Sequence, residues 1–238
     1  MSALFELQKE LKKAANKPKA AILQRFFKTG PGDYGEGDIF LGITVPRQRE
    51  IANKYANRLE LSDIQILLDS KIHESRLIAL MTLVFKYENN KEVLNREKIV
   101  KFYLKNTKNI NNWDLVDLSA YKIIGEWLLV NQEKIELLDK LAISRNLWER
   151  RIAMIAAYAF IKKGETKDAF RIAEKLLGDS HDLIHKAVGW MLREIGKRVS
   201  EPALLKFLNR HKSKMSRTTL RYAIERLHRE QRDYYLKS

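Results

Sequence analysis

The chain of 238 residues has no cysteine, four prolines and ten glycines. Without cysteine it has no disulfides, no thiolate nucleophile and no Cys-based zinc or iron–sulfur site, which fits a reducing cytosol. With so little proline, and with Leu, Ile, Ala, Lys and Glu abundant, helices are favoured throughout. No apolar run approaches the roughly 18 residues that span a membrane. Met1-Ser2-Ala3-Leu4-Phe5-Glu6 carries charge from its first turn, unlike a signal sequence. The expectation is a soluble, cytoplasmic protein with no membrane partner.

Acidic residues are the minority. Thirty Asp and Glu stand against 45 Lys and Arg, a formal net charge of +15. Residues 197–238 hold twelve Lys or Arg against four Asp or Glu, a net +8 in 42 positions. Cations that neutralise phosphates gain free energy from released counterions, so a concentrated basic excess points to a polyanionic partner. The plain alternative is a solubilising charged surface. The 45% hydrophobic content suffices for a substantial core, and the chain is read as one domain over 1–238.

Leu4, Leu7 and Leu11 at helical spacing, then Pro18–Lys28, predict two short opening helices. Thr29–Thr44 is the only long loop and carries five of the ten glycines. Gly30-Pro31-Gly32-Asp33-Tyr34-Gly35 matches G-x-G-x-x-G, but no strand precedes it, Asp33, Glu36 and Asp38 would repel phosphate, and no Gly-Lys-Ser/Thr follows. A structured loop whose apolar end, Ile39-Phe40-Leu41, packs on the helices is the better reading. Helices are then predicted over 46–57, 62–69, 73–88, 92–106, 113–130, 133–143, 147–163, 166–177, 182–197, 201–210 and 216–229, with almost no strand-like alternation.

Laying the second helix of each pair over the others exposes a repeat. Arg76-Leu-Ile-Ala, Asp117-Leu-Ser-Ala, Arg151-Ile-Ala-Met, Lys186-Ala-Val-Gly and Arg221-Tyr-Ala-Ile align at intervals of 41, 34, 35 and 35. Helical pairs at this period predict an all-α, right-handed α-solenoid of HEAT-like repeats, whose equivalent positions line one basic concave face. A row of cations there would track a phosphate backbone. Asp117 interrupts it. Either that carboxylate performs chemistry, or it pairs with Arg151 or another neighbouring cation to join repeats.

Trp113 precedes Asp117 by four residues and so shares its helix face, while Asn112 and Asp114 suit the N-cap and first turn. Trp190 shares a face with Lys186 and Arg193. Trp127 and Trp148 sit among apolar residues and are read as core. Two tryptophans beside one carboxylate and several bases on successive repeats favour chemistry over stitching. His181 and His185 stand i, i+4, but there is no His-Glu-x-x-His and no evident third ligand, so no metal site is expected.

At these residues the chain resembles the AlkD family of bacterial DNA alkylation repair glycosylases. The resemblance covers essentially the whole chain and rests on Ile43-Thr44-Val45-Pro46-Arg47-Gln48-Arg49, Asn112-Trp113-Asp114-Leu115-Val116-Asp117, Trp148-Glu149-Arg150-Arg151 and Lys186-Ala187-Val188-Gly189-Trp190-Met191-Leu192-Arg193-Glu194. Trp113, Asp117, Arg151 and Trp190 all match the family's catalytic set.

The resemblance implies excision of N3- or N7-alkylated purines from double-stranded DNA; no lysine Schiff-base lyase signal stands out, so a monofunctional, metal-independent hydrolase without cofactor, acting as a monomer, is expected. Such alkylation makes the base a cation and an activated leaving group. The remaining problem is an oxocarbenium-like sugar, which Asp117 would stabilise while orienting water. Trp113 and Trp190 would hold the sugar with their electron-rich faces. Arg151, Lys186, Arg193 and Arg221 would clamp phosphates. The alternative is a non-catalytic HEAT-repeat module that binds DNA or senses damage.

Overall fold

The computed structural model describes residues 1–237. They form two compact units, Met1–Ser119 and a second that begins at Ala120. The expected all-α class holds: no strand occurs among the described residues, only an isolated bridge between Ile39 and Ile72.

The first unit contains α1 (Ala3–Lys13), α2 (Lys17–Phe26), α3 (Val45–Tyr55), α4 (Leu61–Leu68), α5 (His73–Asn89), α6 (Val93–Lys105) and α7, which runs Trp113–Ala120. Ser2 and Asn16 cap the first two helices by accepting from Phe5 N and Lys19 N. α5 packs on α3 and α4. It is buried on nearly every side from His73 to Val84, the behaviour of a central helix. Its own Ile78 and Leu80 are fully buried, as are Leu7, Ile51, Leu59, Ile64 and Tyr103 elsewhere in the unit.

The glycine-rich loop is as ordered as expected, and polar groups hold it. Buried Glu74 accepts from the amides of Leu41 (2.9 Å), Gly42 (2.8 Å) and Ile43 (3.3 Å). The Gln24 amide bridges the Asp38 carbonyl (2.7 Å) and the Phe40 amide (3.0 Å). The expectation for Ile39-Phe40-Leu41 needs one correction. Phe40 is buried, but Ile39 is 49% exposed, because its backbone pairs with Lys71 and His73 and turns the side chain outward.

The second unit opens with a π turn at Tyr121–Gly125. It continues through α8 (Glu126–Val130), α9 (Glu136–Ala142), α10 (Leu147–Ala156), α11 (Tyr158–Lys162), α12 (Lys167–Leu176), α13 (Asp182–Arg198), α14 (Glu201–His211), α15 (Arg217–Ala223) and α16 (Arg229–Lys237). α10, α13 and α15, the second helices of successive repeats, pack side by side, as the 35-residue interval requires. Sequence periodicity predicted unbroken helices over 113–130 and 147–163, but a π turn and a break at Ala157 interrupt them. The helix expected over 216–229 ends at Ala223. A separate strongly polar helix, α16, follows, and its only buried residue, Tyr235, is too weak a periodic signal to announce it.

Gly189 sets how closely α13 approaches α15. A Cβ there would lie 2.5 Å from both the Thr219 carbonyl oxygen and the Tyr222 Cβ. Gly189→Ala is therefore expected to destabilise the protein by about 1–3 kcal/mol, the usual range for overpacking. Urea denaturation would read this as a lower midpoint at unchanged slope.

Candidate active site

The start of α7 is built from buried polar contacts. Asn112 is fully buried; its carbonyl accepts from Val116 N (3.2 Å) and its side-chain oxygen accepts from Trp113 N (2.8 Å). Asp114 accepts from Leu115 N (2.9 Å) through Oδ1, and its Oδ2 lies 2.8 Å from His73 Nε2. Leu115 and Val116 turn fully into the core. Trp113 and Asp117, four residues apart, are left half-buried on the other face.

Trp113 is backed by other rings. Phe27 stacks on it at 5.2 Å and 10°, Phe40 stacks on Phe27 at 4.8 Å, and His73 stacks on Phe40 at 4.4 Å. Phe26, 62% exposed, meets Trp113 edge-on at 6.1 Å. Asp117 makes itself felt at Tyr103, whose hydroxyl bonds to Ser119 Oγ at 2.9 Å. Burial first, and the Asp117 charge in addition, push the Tyr103 hydroxyl above the ordinary phenol range.

His73 is buried between two carboxylates: Nδ1 is 3.0 Å from Asp38 Oδ2 and Nε2 is 2.8 Å from Asp114 Oδ2. Burial opposes the charged ring, but the Asp114 charge and the hydrogen bonds of both carboxylates outweigh it, raising the pKa to about 9. Burial likewise opposes ionised Asp38. Its bond to His73 and the Arg76 guanidinium prevail and hold it below the usual carboxylate value.

The His73 shift has a stability consequence. The folded pKa lies above 6.5, so its contribution is complete below pH 6.5 and is lost as pH rises through about 9. The full difference is on the order of 3 kcal/mol. Thermal melts at rising pH should show the loss in the wild type and a flatter profile in His73→Gln.

The remaining candidates lie in the second unit. Lys186 is half-buried and pairs with Asp182 at 2.7 Å; Arg193 pairs with Glu225; Arg221 is exposed. Arg151 is only 4% exposed and donates to the Leu183 carbonyl. Trp190 is half-buried, with Tyr158 at 6.3 Å. Trp127 and Trp148 are buried, as read from their neighbours. His181 caps α13 by accepting from Leu183 N at 3.1 Å, and His185 Nε2 donates to the Asp179 carbonyl. Among the described residues no group of three or more His, Asp or Glu is arranged to hold a metal ion.

Two members of the expected cation row, Arg76 and Arg151, are buried, and Arg76 shows why. Arg76 is 4% exposed and bound to Asp38 (2.6 Å) and the Ser70 carbonyl (2.8 Å), so it presents no charge to a ligand. The repeat register locates a helix position, whereas exposure depends on what the neighbouring loop supplies, here Asp38.

Two features escaped the sequence reading. Asp38 and His73 lie too far from Asp114 along the chain for any local pattern to join them. Tyr121 and Tyr158, rings 5.4 Å apart, extend the aromatic contact made by Trp190, with Lys162 over Tyr121 and Arg198 over Tyr158. Tyr121, Tyr158 and Trp190 fall four, seven and four residues after the shared repeat position, a helical spacing that could have revealed them.

This all-helical fold is shared with solved proteins. The predicted DNA alkylation repair enzyme of Enterococcus faecalis is 16% identical, with a TM-score of 0.71 over 90% of this chain and 97% of that one. AlkD2 of Streptococcus mutans is 18% identical, with a TM-score of 0.56 over 88% and 98%. The smu.31 protein of Streptococcus mutans UA159 is also 18% identical, with a TM-score of 0.54 over 87% and 95%. No curated protein matches the chain. The chain belongs to the DNA alkylation repair enzyme family, whose sequence model matches residues 7–227. No helix among the described residues is long and apolar enough to cross a membrane.

Proposed function

We propose that the protein is a DNA glycosylase that hydrolyses the N-glycosidic bond of cationic N3- or N7-alkylated purines in duplex DNA. The observation that carries this reading is the half-buried carboxylate of Asp117, one turn from the Trp113 indole, in a chain of net charge +15. An acid on a surface meant for phosphate weakens binding, and stabilising a cationic transition state gives it a purpose.

In this reaction the C1′–N bond breaks and its electron pair neutralises the cationic base, which needs no protonation to leave. The deoxyribose becomes oxocarbenium-like. Asp117 faces that charge and orients the water that attacks C1′, and the water's second proton passes to the carboxylate or to solvent. The products are a neutral alkylated base and an abasic sugar, with no strand cleavage and no metal needed to activate the leaving group.

To Trp113 we assign the sugar, through a cation–π contact of about 1–2 kcal/mol when desolvated. To Trp190 we assign the same kind of contact. Lys186, Arg193 and Arg221 are assigned to phosphates, whereas Arg151, as buried as Arg76 and donating to the Leu183 carbonyl, is left out of that role.

The test is release of 7-methylguanine from methylated duplex DNA, in chelator, with strand integrity followed on the same substrate. Free base and intact abasic DNA are expected. Tight, salt-sensitive DNA binding without base release would instead make the protein a non-catalytic damage-binding module.

A further inference from the structure

The glycine-rich loop has no part in the chemistry above, yet its one buried charge sits beneath α7. Asp38 holds Arg76 Nη2 at 2.6 Å through one oxygen and His73 Nδ1 at 3.0 Å through the other. The far side of the same imidazole reaches Asp114 at 2.8 Å, the residue after Trp113. Asn112, the residue before Trp113, points its amide at Asp38 from 3.4 Å. Both polar anchors of the Trp113 segment therefore lead to Asp38.

The loop can reach this place because Gly35 lies against the end of α2, where a Cβ would come within 2.5 Å of the Phe27 carbonyl oxygen. Phe27 and Phe40 then fill the space between His73 and the Trp113 ring.

We propose that His73 is a positioning residue: clamped between Asp38 of the loop and Asp114 of α7, it fixes the helix start that carries Trp113 and Asp117. The catalytic consequence rests on the glycosylase reading above; the positioning itself does not. A buried array of four charged groups is a poor way to gain stability alone, since apolar replacement often serves as well. What it supplies is direction, because a ring bonded at both nitrogens and stacked on Phe40 cannot rotate. The groups that face the ring are Asp38 from the loop, Asp114 from α7 and Arg76 from α5; Phe27 and Phe40 contribute no charge. A protonated ring donates to both carboxylates. Once neutral it can donate to only one, and the clamp opens.

The experiment compares wild type, His73→Gln and Asp114→Ala as full chains. Asp114→Ala removes the acceptor and cuts the link from a half-buried position should the buried substitution impair folding. Amide exchange of residues 113–119 is followed by mass spectrometry, and single-turnover base release and DNA affinity are measured from pH 6 to 10. In both variants, exchange in 113–119 is expected to rise about 10-fold or more while α3 and α4 keep wild-type protection. Release should slow about 10-fold or more, with DNA affinity within about twofold. The wild-type rate should fall above pH 9, a limb the variants lack.

Wild-type exchange at 113–119 in both variants overturns the proposal. So does equal acceleration in α3 and α4, which would mark a merely structural role. Normal release rates in variants with accelerated exchange overturn the catalytic consequence. A wild type that releases no base, with exchange still locally faster in the variants, overturns the glycosylase reading and leaves the positioning role standing.

Discussion

Asp117→Asn is expected to lower base release from methylated duplex DNA by about 100- to 1,000-fold, the range seen when one preorganised electrostatic group is removed from a transition state. The amide keeps the shape of the carboxylate but loses the charge that faces the sugar. Residual turnover reflects the activated leaving group, which departs slowly even unaided. DNA affinity should stay the same or rise slightly, because an acid has left a surface meant for phosphate. Single-turnover kinetics beside a binding titration separates the two effects. A wild-type rate in the variant would remove Asp117 from the mechanism and move the search to other carboxylates.

The second large effect concerns Glu74. Its carboxylate is fully buried and accepts from Leu41, Gly42 and Ile43, whose amides have no regular secondary structure to satisfy them. Glu74→Ala leaves three donors without a partner, each worth about 1–3 kcal/mol. A loss of about 4 kcal/mol or more is expected, and a fall in melting temperature of about 10 °C or more. Glu74→Gln is the informative control. It keeps one acceptor oxygen for Gly42 and Ile43 but turns an NH2 toward the Leu41 amide, so it should fall between wild type and Ala. Melting of Ala and Gln variants at the wild-type temperature would show that the loop is held by other means.

Helical class was legible because it depends on local propensity and on apolar spacing, both written along the chain. The same holds for the buried tryptophans, Trp127 and Trp148, whose neighbours are apolar. The pairing of Trp113 with Asp117 needed only the helical period. Shorter-range errors came where packing overrode periodicity, as at the π turn over Tyr121–Gly125, or where the periodic signal was too weak, as at the polar helix Arg229–Lys237.

By itself, then, the sequence determined an all-helical chain, the repeat interval, the charge and the helix face that carries Asp117. Tertiary structure alone decided which charges are available. Arg76 stands in register with Arg221, yet one is locked to Asp38 and the other is exposed. It alone joined Asp38, His73 and Asp114, separated by 35 and 41 positions. No periodic signal reaches across such distances, because ionisation and burial are set by whichever atoms folding brings within a few ångströms.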